Sequence, residues 1–222
     1  MKNIPIKNKD TLDLLSEFEW FVDENVCNSI VKDEKSWDVL RYDFCSDDYL
    51  RAILNQGKKH SGFPAKVKGY GFNGVSLKFK DPDSDIAKKI IDRYNETIVE
   101  FSTSLMLRHN ALFTVYPPGG FISWHNNANA SAYNFIFTWS ENGNGYWQHY
   151  DYEKKKIIKI PDKKGWNCKA GYFGSYNEPK NNLVYHMAST DCWRMTVAFV
   201  LDRSDMSKGI QEQIVEELSF TD

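Results

Sequence analysis

Histidine is scarce in this chain, and two of its five copies sit where chemistry is plausible. The five are His60, His109, His125, His149 and His186. His125 closes the run Tyr116-Pro117-Pro118-Gly119-Gly120-Phe121-Ile122-Ser123-Trp124, and Asn126 and Asn127 follow it. On a strand, residues i and i+2 point to one face. His125 and Asn127 are therefore expected to converge on one point, the geometry a metal ion asks of two ligands. His186 lies on a second expected strand. Arg194 comes eight residues later and opens Arg194-Met195-Thr196-Val197-Ala198-Phe199, so that Arg194 and Thr196 share a face. An arginine aimed into an apolar interior needs an anion, and a guanidinium holds a carboxylate through two parallel hydrogen bonds. His109 and His149 are read as structural.

These side chains need a scaffold, and the pattern supplies one. From about residue 110 short apolar runs alternate with turn signals. Strands are expected near 111–116, 121–127, 133–139, 145–151, 156–160, 169–173, 183–187 and 194–201. Pro117-Pro118-Gly119-Gly120, Asn142-Gly143-Asn144-Gly145 and Glu178-Pro179 break them. Eight short strands suggest a sandwich or an open barrel. Upstream, Leu14–Val22 reads as a short helix or turn, and Ser46-Asp47-Asp48 as the start of another. Val75–Phe79 alternates as a strand does. Asp81–Asp85 begins a long helix with Ile86, Ile90, Ile91, Tyr94, Ile98 and Phe101 on its apolar side. Ile210, Ile214, Val215 and Leu218 share a face of a tail helix that packs on the barrel or, in a homodimer, on a second subunit. Gly69, Gly71 and Gly74 spell a G-x-G-x-x-G string. It runs toward Val75–Phe79 rather than from a strand into a helix, so it reads as a glycine-rich loop and not a dinucleotide site.

Composition narrows the class. With 222 residues a single domain with one sizeable core is expected. Aromatic residues make up 15% of the chain, which favours β structure. The net charge of −2 offers no overall basic field for nucleic acid, and Lys154–Lys156 and Lys163–Lys164 read as solvated turns. Cys27, Cys45, Cys168 and Cys192 lack the spacing of a zinc site or a dense disulfide scaffold. Met1–Lys7 carries no apolar signal-peptide run, and no stretch is long and apolar enough to span a membrane. A cytoplasmic protein is expected.

With these pieces in order, the stretch from about 110 to 202 resembles the prolyl-hydroxylase-like, double-stranded β-helix family of Fe(II)- and 2-oxoglutarate-dependent oxygenases. The matching parts are Tyr116 through His125, then Val184-Tyr185-His186, then Arg194-Met195-Thr196. The resemblance implies an α+β, mainly β fold, a jelly-roll, cupin-like barrel with supporting N-terminal helices and a C-terminal helix. It divides the single domain 1–222 into an N-terminal α/β extension (1–105), a β-helix core (106–202) and a helical tail (203–222). It implies that His125, His186 and the residue at Asn127 hold Fe(II) as the catalytic centre. Arg194 and Thr196 would hold the far carboxylate of 2-oxoglutarate with Tyr116 nearby, and Asn134 is a further candidate contact. The cosubstrates would be 2-oxoglutarate and O2, and the outcome hydroxylation of a C–H bond in an amino acid, a peptide or a nucleobase.

The family places an acid where this chain has Asn127, and asparagine offers only a neutral oxygen. Three readings stand side by side. Asn127 is a weak neutral ligand; or it cedes the position to water or a halide, as in related halogenases; or the site is metal-free and the domain binds without turnover. Glu141, Asp151, Glu178 and Asp191 are the other acids near the motifs, and none lies two residues from His125 or His186. Trp124 and Trp139 are read as core before pocket lining.

Overall fold

The computed structural model describes residues 1–127, 131–201 and 205–220, with the backbone alone for Val75, Asp205, Met206 and Ser207. Asp202, where the core was expected to end, and Arg203, where the tail was expected to begin, lie outside the described residues. Eleven strands are formed among the described residues. They are β1 (Lys2–Ile4), β2 (Val67–Lys68), β3 (Tyr70–Gly71), β4 (His109–Tyr116), β5 (Phe121–His125), β6 (Ala132–Ser140), β7 (Gly145–Asp151), β8 (Lys156–Pro161), β9 (Gly165–Phe173), β10 (His186–Thr190) and β11 (Arg194–Leu201). They build two antiparallel sheets, one ordered β1-β9-β6-β11-β4-β3 and the other β2-β5-β10-β7-β8. From β4 onward the chain passes back and forth between the sheets, except that β7 and β8 follow each other in one of them. No hydrogen-bonded strand joins the two sheets among the described residues.

Alternation sorts each strand's side chains into two environments. In β11, Met195, Val197 and Phe199 face outward into the largest core cluster, while Ala198 faces the other sheet. Arg194 and Thr196 share the inward side with Ala198 by the two-residue period. The outward cluster is aromatic. Phe18, Phe21, Phe101, Phe113, Phe137 and Phe199 are fully buried there. Phe101 meets Phe18 and Phe137 edge-to-face at 5.4 and 5.0 Å, a favoured ring geometry. The helix Asp85–Ser104 delivers Phe101, and its N-terminus is capped by Ser84. Ile90 and Phe101 of its expected apolar side are buried, but Ile91 is 41% exposed, since that face is narrower than the run of isoleucines suggested. On the far side, the helix Asp47–Gln56 covers the smaller sheet through Leu50 and Ile53, packed with Trp124, Tyr185 and Met187. Each sheet thus has helices outside and the other sheet inside.

Three expectations need correction, and a fourth, Leu14–Val22 as a short helix or turn, is met in two parts. Val75–Phe79 is not a strand: Gly74–Ser76 forms a 3-10 turn, and Phe79 makes only an isolated bridge to Ile30. Leu14–Val22 divides between a helix ending at Ser16 and a 3-10 segment, Glu17–Val22. Strand β10 starts at His186 rather than at 183, because Lys180–Asn182 takes a 3-10 turn first. β5 stops at His125, and Asn127 has φ +60°, the left-handed region that asparagine tolerates better than most residues. The tail helix Asp205–Ser219 docks on its own chain, with Ile214 and Leu218 buried and the Leu218 carbonyl accepting from the Lys7 N–H at 2.7 Å.

Candidate functional site

Local sequence explains how His125 reaches the interior. Gly119 has φ +76°, and the Gly120 N–H donates to the Pro117 carbonyl at 2.7 Å. Proline followed by such a glycine is a type II turn pattern. The turn is tied to β10, because Gly119 N–H donates to Thr190 O and Thr190 N–H to Gly120 O. β5 then pairs with β10, but the register shifts: Ala188 opposes Ile122 while His186 opposes His125. An extra residue on β5 takes up that shift, as in a β-bulge. Consequently Ile122 lies in the interior cluster and Trp124 in the outer one under Leu50. Without the bulge Trp124 would follow Ile122 inward and His125 would point out.

The two histidines meet as strand neighbours. Their ring centroids are 4.1 Å apart, and they are 4% and 7% exposed. Each ring lies 2.8–2.9 Å through Nδ1 from a carbonyl two residues back, His125 from Ser123 and His186 from Val184. A carbonyl only accepts, so Nδ1 carries the proton and Nε2 keeps its lone pair in the neutral ring. Burial holds His125 down at about 4, against the pull of the Ser123 carbonyl. Burial, and then the neighbouring His125 ring, hold His186 well below the imidazole range. Two neutral, oriented nitrogen donors are what a divalent metal takes from histidine.

A third histidine joins them. His149 on β7 opposes His186 across the ladder, so His125, His186 and His149 occupy three adjacent strands in one register row. His149 stacks on Trp147 at 4.8 Å, and Trp147 also contacts His186 at 5.8 Å. Burial lowers His149 to about 4, and its Nδ1 has no hydrogen-bond partner. The structural reading of His149 from sequence missed this, because only the β10–β7 register reveals it. Among the described residues, no three histidine, cysteine, aspartate or glutamate side chains stand close enough to hold a metal ion between them.

The position of the missing acid is also altered. Asn127 has left the strand, so the same-face argument does not apply to it, although its side chain lies close enough to His125 to favour the charged ring. Asn126 is the more deeply buried amide, at 1% exposure, with neither side-chain atom hydrogen-bonded. The other acids are engaged elsewhere. Asp191 pairs with Arg41 at 2.7 Å and Asp151 with Lys154 at 3.2 Å. Glu178 accepts from Ser131, Tyr172, Ser175 and Asn182. Glu141 accepts from the Trp193 N–H. His109 is exposed at the start of β4, and His60 accepts the Gly62 N–H at 3.1 Å. Trp124 donates to the Cys45 carbonyl inside the outer core, and Trp139 packs against the largest core cluster.

A second polar cluster forms around Arg194, which is 1% exposed. Its Nε donates to Asp162 Oδ2 at 2.7 Å, Nη1 to Thr196 Oγ1 at 2.6 Å and Nη2 to Thr138 Oγ1 at 3.5 Å. The guanidinium carbon lies 5.6 Å from the centre of the Tyr116 ring. An interior arginine needs an anion opposite it. Asp162, at the turn between β8 and β9, is that anion. Its approach depends on Gly145, where an added Cβ would stand 2.7 Å from Oδ2. Lys169, from β9, is 3% exposed with Nζ 3.7 Å from Asp162 Oδ1. Burial lowers the Lys169 ammonium from its ordinary value, with Asp162 opposing. Tyr116 is 1% exposed, its hydroxyl lies beside Thr114 and Thr196 without a well-formed hydrogen bond, and burial pushes it up to about 12. Asn134 also points inward, its amide donating to the Ala132 carbonyl at 3.0 Å.

No protein-family model matches the chain, and no curated protein matches it. Among solved structures it is similar to a Pseudomonas putida prolyl-4-hydroxylase, 13% identical over 72% of this chain and 90% of that one, with a TM-score of 0.32. It is also similar to a viral collagen prolyl hydroxylase from Paramecium bursaria Chlorella virus-1 in its 2-oxoglutarate complex, 12% identical over 69% and 87%, TM-score 0.29. An oxalate oxidase is 14% identical over 49% and 60%, TM-score 0.29. Overlaps this loose carry no argument about chemistry. The candidate site rests on the geometry above.

Proposed function

We propose that this chain is a non-haem iron(II) oxygenase of the 2-oxoglutarate-dependent type, with the two sheets forming a double-stranded β-helix barrel around the site. The observation that carries the reading is the His125–His186 pair, buried, neighbouring and set by two backbone carbonyls so that Nε2 is the lone-pair nitrogen of each neutral ring. These residues fit a metal as two nitrogen ligands, and carbonyl-anchored imidazoles are the usual second layer of such sites. The third protein ligand would be neutral, from Asn127, or absent. The basic cluster inside the same sheets fits an acid, since Arg194 and Lys169 together outweigh Asp162.

Bound iron, with 2-oxoglutarate and dioxygen, would supply the oxidising power for attack on a C–H bond. The chain's own part is positional. Ser123 and Val184 carbonyls hold the imidazoles in one tautomer. Trp147 and Phe173 pack on the His186 ring and keep bulk water from it. Arg194, Thr196, Tyr116 and Asn134 face the interior where the cosubstrate carboxylate would be received. The substrate would be an amino acid, a peptide or a nucleobase.

One observation favours a second reading, a binding domain without turnover. Arg194 already has an internal carboxylate in Asp162, so its presence alone does not require a cosubstrate. Anaerobic titration with Fe(II) and then 2-oxoglutarate separates the two. The oxygenase reading expects tight Fe(II) binding that His125→Ala and His186→Ala abolish, a weak visible charge-transfer band with 2-oxoglutarate, and 2-oxoglutarate consumption in air. Fe(II) uptake unaffected by both variants, or no band and no consumption, rejects it. Chloride-dependent product masses would identify a halogenase instead.

A further inference from the structure

We propose that Met1 is a specificity-determining residue of the interior. Its side chain fills the gap over Gly171, between the cationic cluster and the histidine pair, and limits the width of an acid that bridges them. The inference rests on the proposed reading that this interior receives a dicarboxylate such as 2-oxoglutarate.

Strand period puts Met1 inside. β1 runs antiparallel to β9, with Ile4 opposite Cys168 and Lys2 opposite Ala170. Ile4, Cys168 and Ala170 belong to the outward core. Met1 lies three residues before Ile4, and strand side chains an odd number apart point to opposite faces. Met1 accordingly packs with the cluster between the sheets, to which Phe173 and Ile136 come from one sheet and Trp147 and Ile122 from the other.

Gly171 makes the room. A Cβ added there would stand 2.6 Å from Met1 Sδ and 3.2 Å from Met1 Cα. A side chain at 171 would collide with the methionine, so the two positions form one fitted unit. Their place on β9 gives the unit its consequence, because Lys169, Gly171 and Phe173 share the inner side by the two-residue period. Two residues before Gly171, Lys169 brings Nζ to 3.7 Å from Asp162. Two residues after it, the Phe173 ring packs on His186 at 4.9 Å between centroids. A molecule with one carboxylate at the cations and its other end at the histidines must therefore run past Met1. A thioether side chain is unbranched and adapts to irregular neighbours, so it accommodates a straight acid chain and crowds a branched one.

The test is calorimetric titration of the full chain, metal-free, with glutarate, which is 2-oxoglutarate without the keto group, and with its branched counterpart 3,3-dimethylglutarate. Position 1 is varied by releasing the chain from a cleavable N-terminal fusion. Wild type is expected to bind glutarate and to discriminate against the dimethyl compound. Met1→Ala should improve the affinity ratio in favour of the branched acid by about tenfold, the scale of a methyl-sized change in a fitted apolar site. Gly171→Ala should weaken glutarate, since the added Cβ drives the Met1 side chain toward the bound acid, and Met1→Ala in the same chain should restore it. Met1→Ala alone decides the matter if Gly171→Ala does not fold. A role only in holding β1 would lower the melting temperature of these variants without moving the ratio. An unchanged ratio in Met1→Ala, or a loss in Gly171→Ala that Met1→Ala does not rescue, overturns the assignment. No binding of either acid by wild type and by Met1→Ala overturns it together with the reading beneath it. A Met1-dependent ratio without 2-oxoglutarate consumption under Fe(II) and air keeps this assignment and rejects the oxygenase. Consumption with an unchanged ratio does the reverse.

Discussion

The histidine cluster and the arginine cluster lie between the same two sheets, yet they satisfy their polar atoms in opposite ways. At the histidine end the groups are neutral. Each ring of the central pair gives its Nδ1 proton to a carbonyl two residues back, so the backbone itself sets the geometry. At the arginine end the groups are charged, and their partners come from distant parts of the chain: Asp162 from the β8–β9 turn, Lys169 from β9, Thr138 from β6. β7 links the two, with His149 at one end, Trp147 between, and Gly145 against Asp162 at the other. At the usual strand rise Gly145 and His149 are roughly 13 Å apart along β7. A neutral pair tolerates burial without an ion. A charged cluster survives burial only if its members stay together, so damage should be much larger at the arginine end.

Asp162→Ala tests that difference most severely. It leaves two buried cations without a carboxylate, and breaking a buried pair typically costs about 3–5 kcal/mol. Urea unfolding should show that loss. A cost below about 1 kcal/mol would mean that water already shares the cluster, and the contrast between the two ends would collapse.

Acid is the matching probe of the histidine end. His125 is neutral in the fold, with its value lowered from 6.5 to about 4. In metal-free protein its contribution is therefore fully present above about pH 6.5 and lost as pH falls toward 4. The loss from this ring is on the order of 3 kcal/mol. His125→Leu should flatten that part of the pH–stability curve. An unchanged slope would shift the acid sensitivity to other groups.

Gly145→Ala sharpens the comparison at the arginine end without removing a charge. The new Cβ would meet Asp162 Oδ2 at 2.7 Å and Thr190 Oγ1 at 3.0 Å. Overpacking of this kind costs roughly 1–3 kcal/mol, read as a lower melting temperature, and carboxylate affinity should fall with it. The smallest effect is expected from Asn127→Asp. If Asn127 reaches the metal, Fe(II) should bind about tenfold tighter, equivalent to about 1.4 kcal/mol. Unmoved affinity takes Asn127 off the metal and leaves the third position to water.

How much of this was readable in the chain follows from the range of each interaction. The Pro117–Gly120 turn, the helix starts at Ser46 and Ser84, and the inward alternation of Arg194 and Thr196 were legible because turns, caps and strand period are local. The third strand-borne histidine was not, since His149 becomes a neighbour of His186 only through the β10–β7 register. Nor was the bulge before His125, which reverses the facing of Trp124 without a marking residue. Asn127 was misjudged because a two-residue period holds only while the strand lasts, and β5 ends two residues earlier.

By itself, the sequence determined the candidate inventory: two histidines on separate strands, an arginine committed to the interior, and an asparagine where an acid was expected. These depend on residue type and short spacing, which do not change on folding. Only the tertiary structure decided who partners whom. It brought Asp162 to Arg194 and Lys169 to Asp162 across three separate segments, because a buried charge takes its counterion from whatever strand the fold sets beside it, and no local rule in the chain encodes that choice.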